Sequence, residues 1–129
     1  MTGSRTWNNR DVIDGAFLSV RAMNEYDLPV TLIHGAAAGA DTMAESVAKE
    51  LGWNIEAHPA DWRTHTEACP TWHLDLERCR MAGHRRNQEM VDSRADVCFA
   101  FIKAESPGAT SCADKAIAAG IPTVIYREE

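Results

Sequence analysis

Apolar residues recur along this chain first at helical spacing, then in short strand-like runs, and the two patterns alternate to the end. Ile13, Ala16, Phe17, Val20 and Met23 advance by three, one, three and three, which places them on one helical face. Asn8-Asn9 supplies the N-cap, and Asp11 sits in the first turn, where a negative charge favours the helix dipole. Residues 29–34 (PVTLIH) read as a short buried strand, and Gly35 to Gly39 as a turn of small residues. A second helix begins at Asp41 with the face Ala40, Met43, Ala44, Val47, Ala48 and Leu51, and Gly52 closes it. Residues 54–57 (NIEA) form a second strand, stopped by His58-Pro59. A helix is predicted over 86–92, and 97–102 (VCFAFI) is the continuous apolar run expected of a strand covered on both faces. Residues 111–119 are helical up to Gly120, and 122–126 (PTVIY) make the last strand.

Strands alternating with helices across short turns predict an α/β fold: a Rossmann-like parallel sheet with helices on both faces. The pattern has no internal repeat and no Gly/Ser/Pro-rich linker, so residues 1–129 are expected to form one domain. Ligands in such sheets bind beyond the carboxyl ends of the strands. The usual first strand is missing from the pattern, because Met1-Thr2-Gly3-Ser4-Arg5 has no apolar run before it. A sheet lacking its central strand would expose backbone edges, so a homo-oligomer is expected to cover them.

Composition narrows the classes. No apolar run approaches the roughly 20 residues that span a bilayer, and no signal-peptide pattern opens the chain, so a cytoplasmic protein without membrane partners is expected. The formal charge of −6 argues against a main affinity for nucleic acid, despite a local basic patch of Arg78, Arg80, Arg85 and Arg86. Cys98 and Cys112 fall in apolar patterns as small core residues. Cys69, His73, Cys79 and His84 are the metal-like set, but their spacing matches no common zinc module, so neither a metal nor another cofactor is expected.

Five clusters fall at strand ends. In Thr2-Gly3-Ser4-Arg5-Thr6-Trp7-Asn8, a glycine, hydroxyls and an arginine suit an anion at a helix start, or simply a turn. In His34-Gly35-Ala36-Ala37-Ala38-Gly39-Ala40-Asp41, a small-residue turn lets a phosphate or ribose approach backbone N–H groups. It is neither a Walker A loop nor the dinucleotide fingerprint. Asp41 reads either as a helix cap or as an acceptor for ribose hydroxyls. His58-Pro59-Ala60-Asp61-Trp62 offers a flat indole to a base or a neighbouring helix. Arg85 and Arg86 at a helix start oppose the dipole, which is understandable if an anionic ligand lies there. Ser106-Pro107-Gly108-Ala109-Thr110-Ser111 joins a strand to a helix through a turn former and hydroxyl caps.

Taken in order, TGSRTW, HGAAAGAD, HPADW, RRNQEMVD and AAGIPT resemble the YspA-like, YpsA-related branch of the SLOG superfamily, from Thr2 to about Tyr126. The resemblance implies a Rossmann-like fold and a nucleotide or nucleotide-derived ligand, ADP-ribose-like in kind. It also implies ligand-binding roles for Gly3, Ser4 and Arg5 in the first turn, and for Gly35, Gly39 and Asp41 in the second. Arg86 and Asn87 match the Arg-Asn pair, and Gly108 and Thr110 fall where relatives carry a glycine-rich phosphate loop. Three departures stand out: the missing first strand, a longer stretch from Thr66 to Gly83, and a glycine-rich loop reduced to Pro107-Gly108-Ala109-Thr110. The superfamily also contains phosphoribohydrolases and a DNA-processing protein. Cleavage of an N-glycosidic bond and single-strand nucleic-acid binding therefore remain as alternatives to binding or sensing. Cleavage needs a carboxylate near the ribose, for which Asp41, Asp61, Glu89 and Asp114 are the candidates.

Overall fold

A computed structural model describes residues 1–66, 69, 79 and 81–129 of the chain. Its order is β1 (Thr2–Gly3), α1 (Arg10–Met23), β2 (Thr31–His34), α2 (Ala40–Glu50), β3 (Asn54–Ala57), α3 (Ala82–Asp92), β4 (Cys98–Lys103), α4 (Pro107–Ala118) and β5 (Thr123–Glu128). All ladders are parallel: β1 pairs with β4, β4 with β5, and β2 with β3.

The first strand is present after all, cut to two residues, with Thr2 opposite Ala100 and Gly3 opposite Phe101. The Ser4 N–H to Phe101 O bond at 2.8 Å extends it. On its other side the Met1 amino group donates to Ile33 O at 2.7 Å, linking the β1-β4-β5 sheet to the β2-β3 pair. The missing-strand expectation is corrected accordingly. Two residues carry no hydrophobic periodicity, so backbone pairing alone defines this strand. The reason offered for self-association, an unoccupied central position, falls with it.

β4 is buried along Cys98–Ile102, and its alternate side chains serve opposite faces. Phe99 and Phe101 join Ile13, Ala16 and Phe17 of α1, Ala44, Val47 and Ala48 of α2, and Trp7. Ala100 and Ile102 meet Ala109 and Ala113 of α4, while Cys98 meets Val91 of α3 and Ala116 of α4. This is why the run reads as uniformly apolar rather than alternating. Full burial of Phe17 and Phe101 stabilises the fold by roughly 1.5–3 kcal/mol each. The Asn9 cap is observed, its side chain accepting from Val12 N–H at 3.4 Å, and its amide also donates to Glu128 of β5 at 2.7 Å.

Two helix starts differ from expectation. α3 begins at Ala82, so Arg85 and Arg86 lie a full turn inside it rather than at its exposed N–H groups. α4 begins at Pro107, so Gly108 and Thr110 belong to a first helical turn, not to a loop. Proline at the first helical position loses no hydrogen bond, which lets the helix start early. No helix among the described residues is long and apolar enough to cross a membrane.

Candidate functional site

The ends of β1 and β4, the loop after β2 and the first turns of α3 and α4 enclose a cavity of about 420 Å³. Of the residues singled out from sequence, Gly3, Ser4, Arg5, Asp41, Arg86, Asn87 and Gly108 line it. Gly35 and Gly39 do not line it, and Thr110 lines a neighbouring cavity with Ser111 and Asp114. Trp62, Gly83 and His84 complete one side, and Glu105 with Ser106 the other.

Each wall is held by identifiable bonds. The Ser4 hydroxyl accepts from Lys103 N–H at 2.8 Å and shares a short hydrogen bond with the Ser106 hydroxyl, which itself donates to Lys103 O at 3.0 Å. The first turn is thereby fastened to the end of β4. Ala40 N–H donates to Ser4 O at 3.1 Å, bringing the start of α2 against the same turn. That approach requires Gly39: its φ is +74°, and a Cβ there would lie 2.5 Å from the Arg5 carbonyl carbon and 2.6 Å from Ser4 O. At Gly35 a Cβ would meet the Arg86 guanidinium, so a side chain there would displace Arg86 from the Gly35 carbonyl.

Asp41 is not the cap of α2, since Gly39 holds that position. Its Oδ2 instead accepts from Gly35 N–H at 3.0 Å and Ala37 N–H at 3.2 Å, folding the small-residue loop back onto the helix. His34 Nδ1 accepts from Ala36 N–H at 2.9 Å, which helps hold Ala36 at its left-handed φ of 56°. Asp41 is 4% exposed, and its Oδ1 is buried without a hydrogen-bond partner among the described residues. Burial pushes the carboxyl above its usual range, opposed by the Ala37 N–H bond and the nearby positive charges.

Arg86 crosses from α3 to the β2 loop. Nη1 donates to Gly35 O and, at 3.5 Å, to His58 O, while Nε donates to Asn87 Oδ1 at 2.9 Å. Asn87, 4% exposed, passes the connection on by donating from Nδ2 to Gly108 O at 3.3 Å. The Arg-Asn pair therefore joins the β2 loop, α3 and the start of α4. Nη2 of Arg86 carries no bond among the described residues. Trp62 packs against Gly83, where a Cβ would stand 3.1 Å from the indole, and the Arg5 guanidinium lies 5.9 Å from the centre of its ring.

One lining group was not singled out from the sequence: Glu105, which follows the end of β4 at Lys103 and precedes the Ser106 turn. The proposed catalytic acids divide: Asp41 lines the cavity, whereas Asp61, Glu89 and Asp114 do not. Glu89 instead meets His58 Nδ1 at 3.1 Å, with Glu56 on Nε2 at 2.9 Å. Behind Trp62 lies a second cluster, where the backbone N–H of Thr66 approaches the sulfur of Cys69 and draws its thiol down to about 6. Of the sequence-level metal set, His73 lies outside the described residues, as do Arg78 and Arg80 of the basic patch.

Comparison with known proteins agrees with this architecture. The model of the YAcAr family (YspA, cpYpsA-related SLOG family) matches residues 1–65, which carry the first turn, the β2 loop and the HPADW segment. A "Gene 61 protein" of Mycobacterium phage D29 is 36% identical over 134 residues, covering 100% of this chain and 95% of that protein. No solved structure gives a significant match. With half the chain under the family model and an Arg-Asn bridge joining that half to α3 and α4, the chain belongs to the YspA, cpYpsA-related SLOG family.

Proposed function

We propose that the cavity binds a nucleotide or nucleotide-derived ligand of the ADP-ribose kind, as a binding or sensing module. Family membership suggests a nucleotide-related function, and the chemistry of the walls supports this finer reading. The first turns of α3 and α4 both contribute to the lining, and helix starts present backbone N–H groups and a positive dipole end to an anion. Nη2 of Arg86 and the exposed Arg5 add charge-assisted donors suited to a phosphate. Trp62 supplies an apolar surface on one side. The volume lies within the roughly 300–1,000 Å³ of small-molecule sites.

The observation that carries the reading is Asp41 at the wall of this cavity, with one carboxylate oxygen holding the Gly35 and Ala37 amides and Oδ1 buried without a hydrogen-bond partner among the described residues. A buried polar atom without a partner costs about 1–3 kcal/mol, so a ligand hydroxyl that pairs with it recovers that cost on binding. A carboxylate for a sugar hydroxyl and helix starts with arginine for phosphate are the two halves of a ribose phosphate. A thermal-shift series with ADP-ribose, AMP, NAD and ribose 5-phosphate tests this. A ligand at one hundred times its Kd should add about 2.7 kcal/mol of stability. Asp41→Asn keeps one oxygen for the Gly35 and Ala37 amides and should weaken binding by about 1.5–3 kcal/mol. No shift with any of the four compounds, or undiminished binding by Asp41→Asn, refutes the reading. Chromatography of the same samples checks for cleavage, in which Asp41 and Glu105 would be the carboxylates available at the wall.

A further inference from the structure

Outside the cavity, the connection between β3 and α3 gathers three metal-ligating side chains that the sequence pattern did not group. We propose that His65, Cys69 and Cys79 form a zinc-binding site. Their donor atoms all lie within 4.8 Å of one another, and the two sulfurs are 3.7 Å apart. That separation is far longer than the roughly 2.05 Å of a disulfide. It is the distance expected of two thiolates sharing one tetrahedral zinc, since Zn–S bonds of about 2.3 Å at a tetrahedral angle put the sulfurs about 3.8 Å apart.

The donor set selects the ion. Two sulfurs and an imidazole suit zinc and disfavour calcium or magnesium, which take oxygen. Three protein ligands leave a fourth position for water or a further donor. Cys69 and Cys79 are 8% and 0% exposed, so the sulfurs are withdrawn from solvent. Arg85 donates from Nη1 toward Cys79 Sγ at 3.3 Å and Cys69 Sγ at 3.7 Å, and from Nη2 to Thr64 O at 2.6 Å. N–H groups aimed at sulfur are the outer partners that orient thiolate ligands, and the two thiolate charges balance the dication.

Spacing along the chain groups Cys69, His73, Cys79 and His84. In the folded chain His84 lines the cavity and His73 lies outside the described residues, while His65, four residues before Cys69, joins Cys69 and Cys79. The site has a structural consequence. Cys79 N–H donates to Trp62 O at 2.5 Å, and Ala82 N–H to Cys79 O at 3.3 Å. An ion here would tie the segment bearing Trp62 to the start of α3, fixing one side of the cavity.

Elemental analysis of the full chain, purified under reducing conditions without added metal, should find about one zinc per chain. Cys69→Ser and Cys79→Ser should each lose it, whereas Cys112→Ser, at a buried position of α4 outside the cluster, should keep it. His65→Ala, titrated with Zn²⁺ against a chromophoric chelator, should bind at least about tenfold more weakly while retaining the parent circular dichroism. If the serine variants fail to fold, alkylation of the intact chain decides. Cys69 and Cys79 should react slowly with Zn²⁺ present and quickly after chelation. Equal rates, a Cys69–Cys79 disulfide in place of metal, or zinc retained by both serine variants would overturn the proposal.

Discussion

Arg86→Ala tests the framework of the site rather than the ligand. In the parent protein Nη1 satisfies the buried Gly35 carbonyl, and Nε satisfies Oδ1 of Asn87, itself 4% exposed. Removing the side chain leaves two buried acceptors without their donor, each costing about 1–3 kcal/mol. The vacated volume opens to the cavity, so water can enter and the lower part of that range applies. The expected loss is about 2–3 kcal/mol of folding stability. A cation at a helix start would predict the reverse, a slight gain on removal, but Arg86 lies in the second turn of α3 and makes these bonds. Arg86→Lys should recover only about half, because a point charge reaches one acceptor where the guanidinium reaches both. Urea denaturation followed by tryptophan fluorescence and by far-ultraviolet circular dichroism measures the difference. A change within about 0.5 kcal/mol for Arg86→Ala, the range of ordinary surface substitutions, refutes the account of Arg86 as the bridge. The same variants in the thermal-shift series separate the two roles, since a phosphate contact through Nη2 adds a loss of ligand affinity to the loss of stability.

Gly39→Ala should destabilise the fold by at least about 2 kcal/mol, because a positive φ and a close approach to Arg5 and Ser4 backbone act together; a chemical melt matching the parent contradicts this. His58 is raised above its ordinary value, first by its hydrogen bond to Glu56 and then by Glu89. Its contribution is therefore present below the unfolded value of 6.5 and lost as pH rises through the folded value. His58→Gln should cost stability at pH 6 but little at pH 9, and an equal cost at both would show that the pair contributes nothing through charge. Self-association is expected through apolar surface that remains exposed, notably Val124 and Ile125 on the edge strand β5. Light scattering reporting a monomer at micromolar concentration, with no change on Val124→Lys, counts against it.

What the sequence determined on its own is whatever depends on local periodicity and on long enough runs. The faces of α1 and α2, the doubly covered β4 and the parallel α/β architecture were legible because burying one stripe or two faces imposes spacing on the residues themselves. So was the approximate place of the cavity, since small residues and hydroxyls cluster where strands end. Only the tertiary structure decided the rest. β1 is two residues long, too short for any period, and exists because Thr2 and Gly3 find the edge of β4. Asp41 gave a cap-or-acceptor ambiguity because both uses need a carboxylate near a helix start; the position of the Gly35 and Ala37 amides made it a loop tie rather than a cap, with Oδ1 unpartnered among the described residues. Arg86 reaches back 51 residues to Gly35, and His65 meets Cys79 across a connection. Such meetings depend on how elements stack, which carries no signature in the spacing of neighbours along the chain.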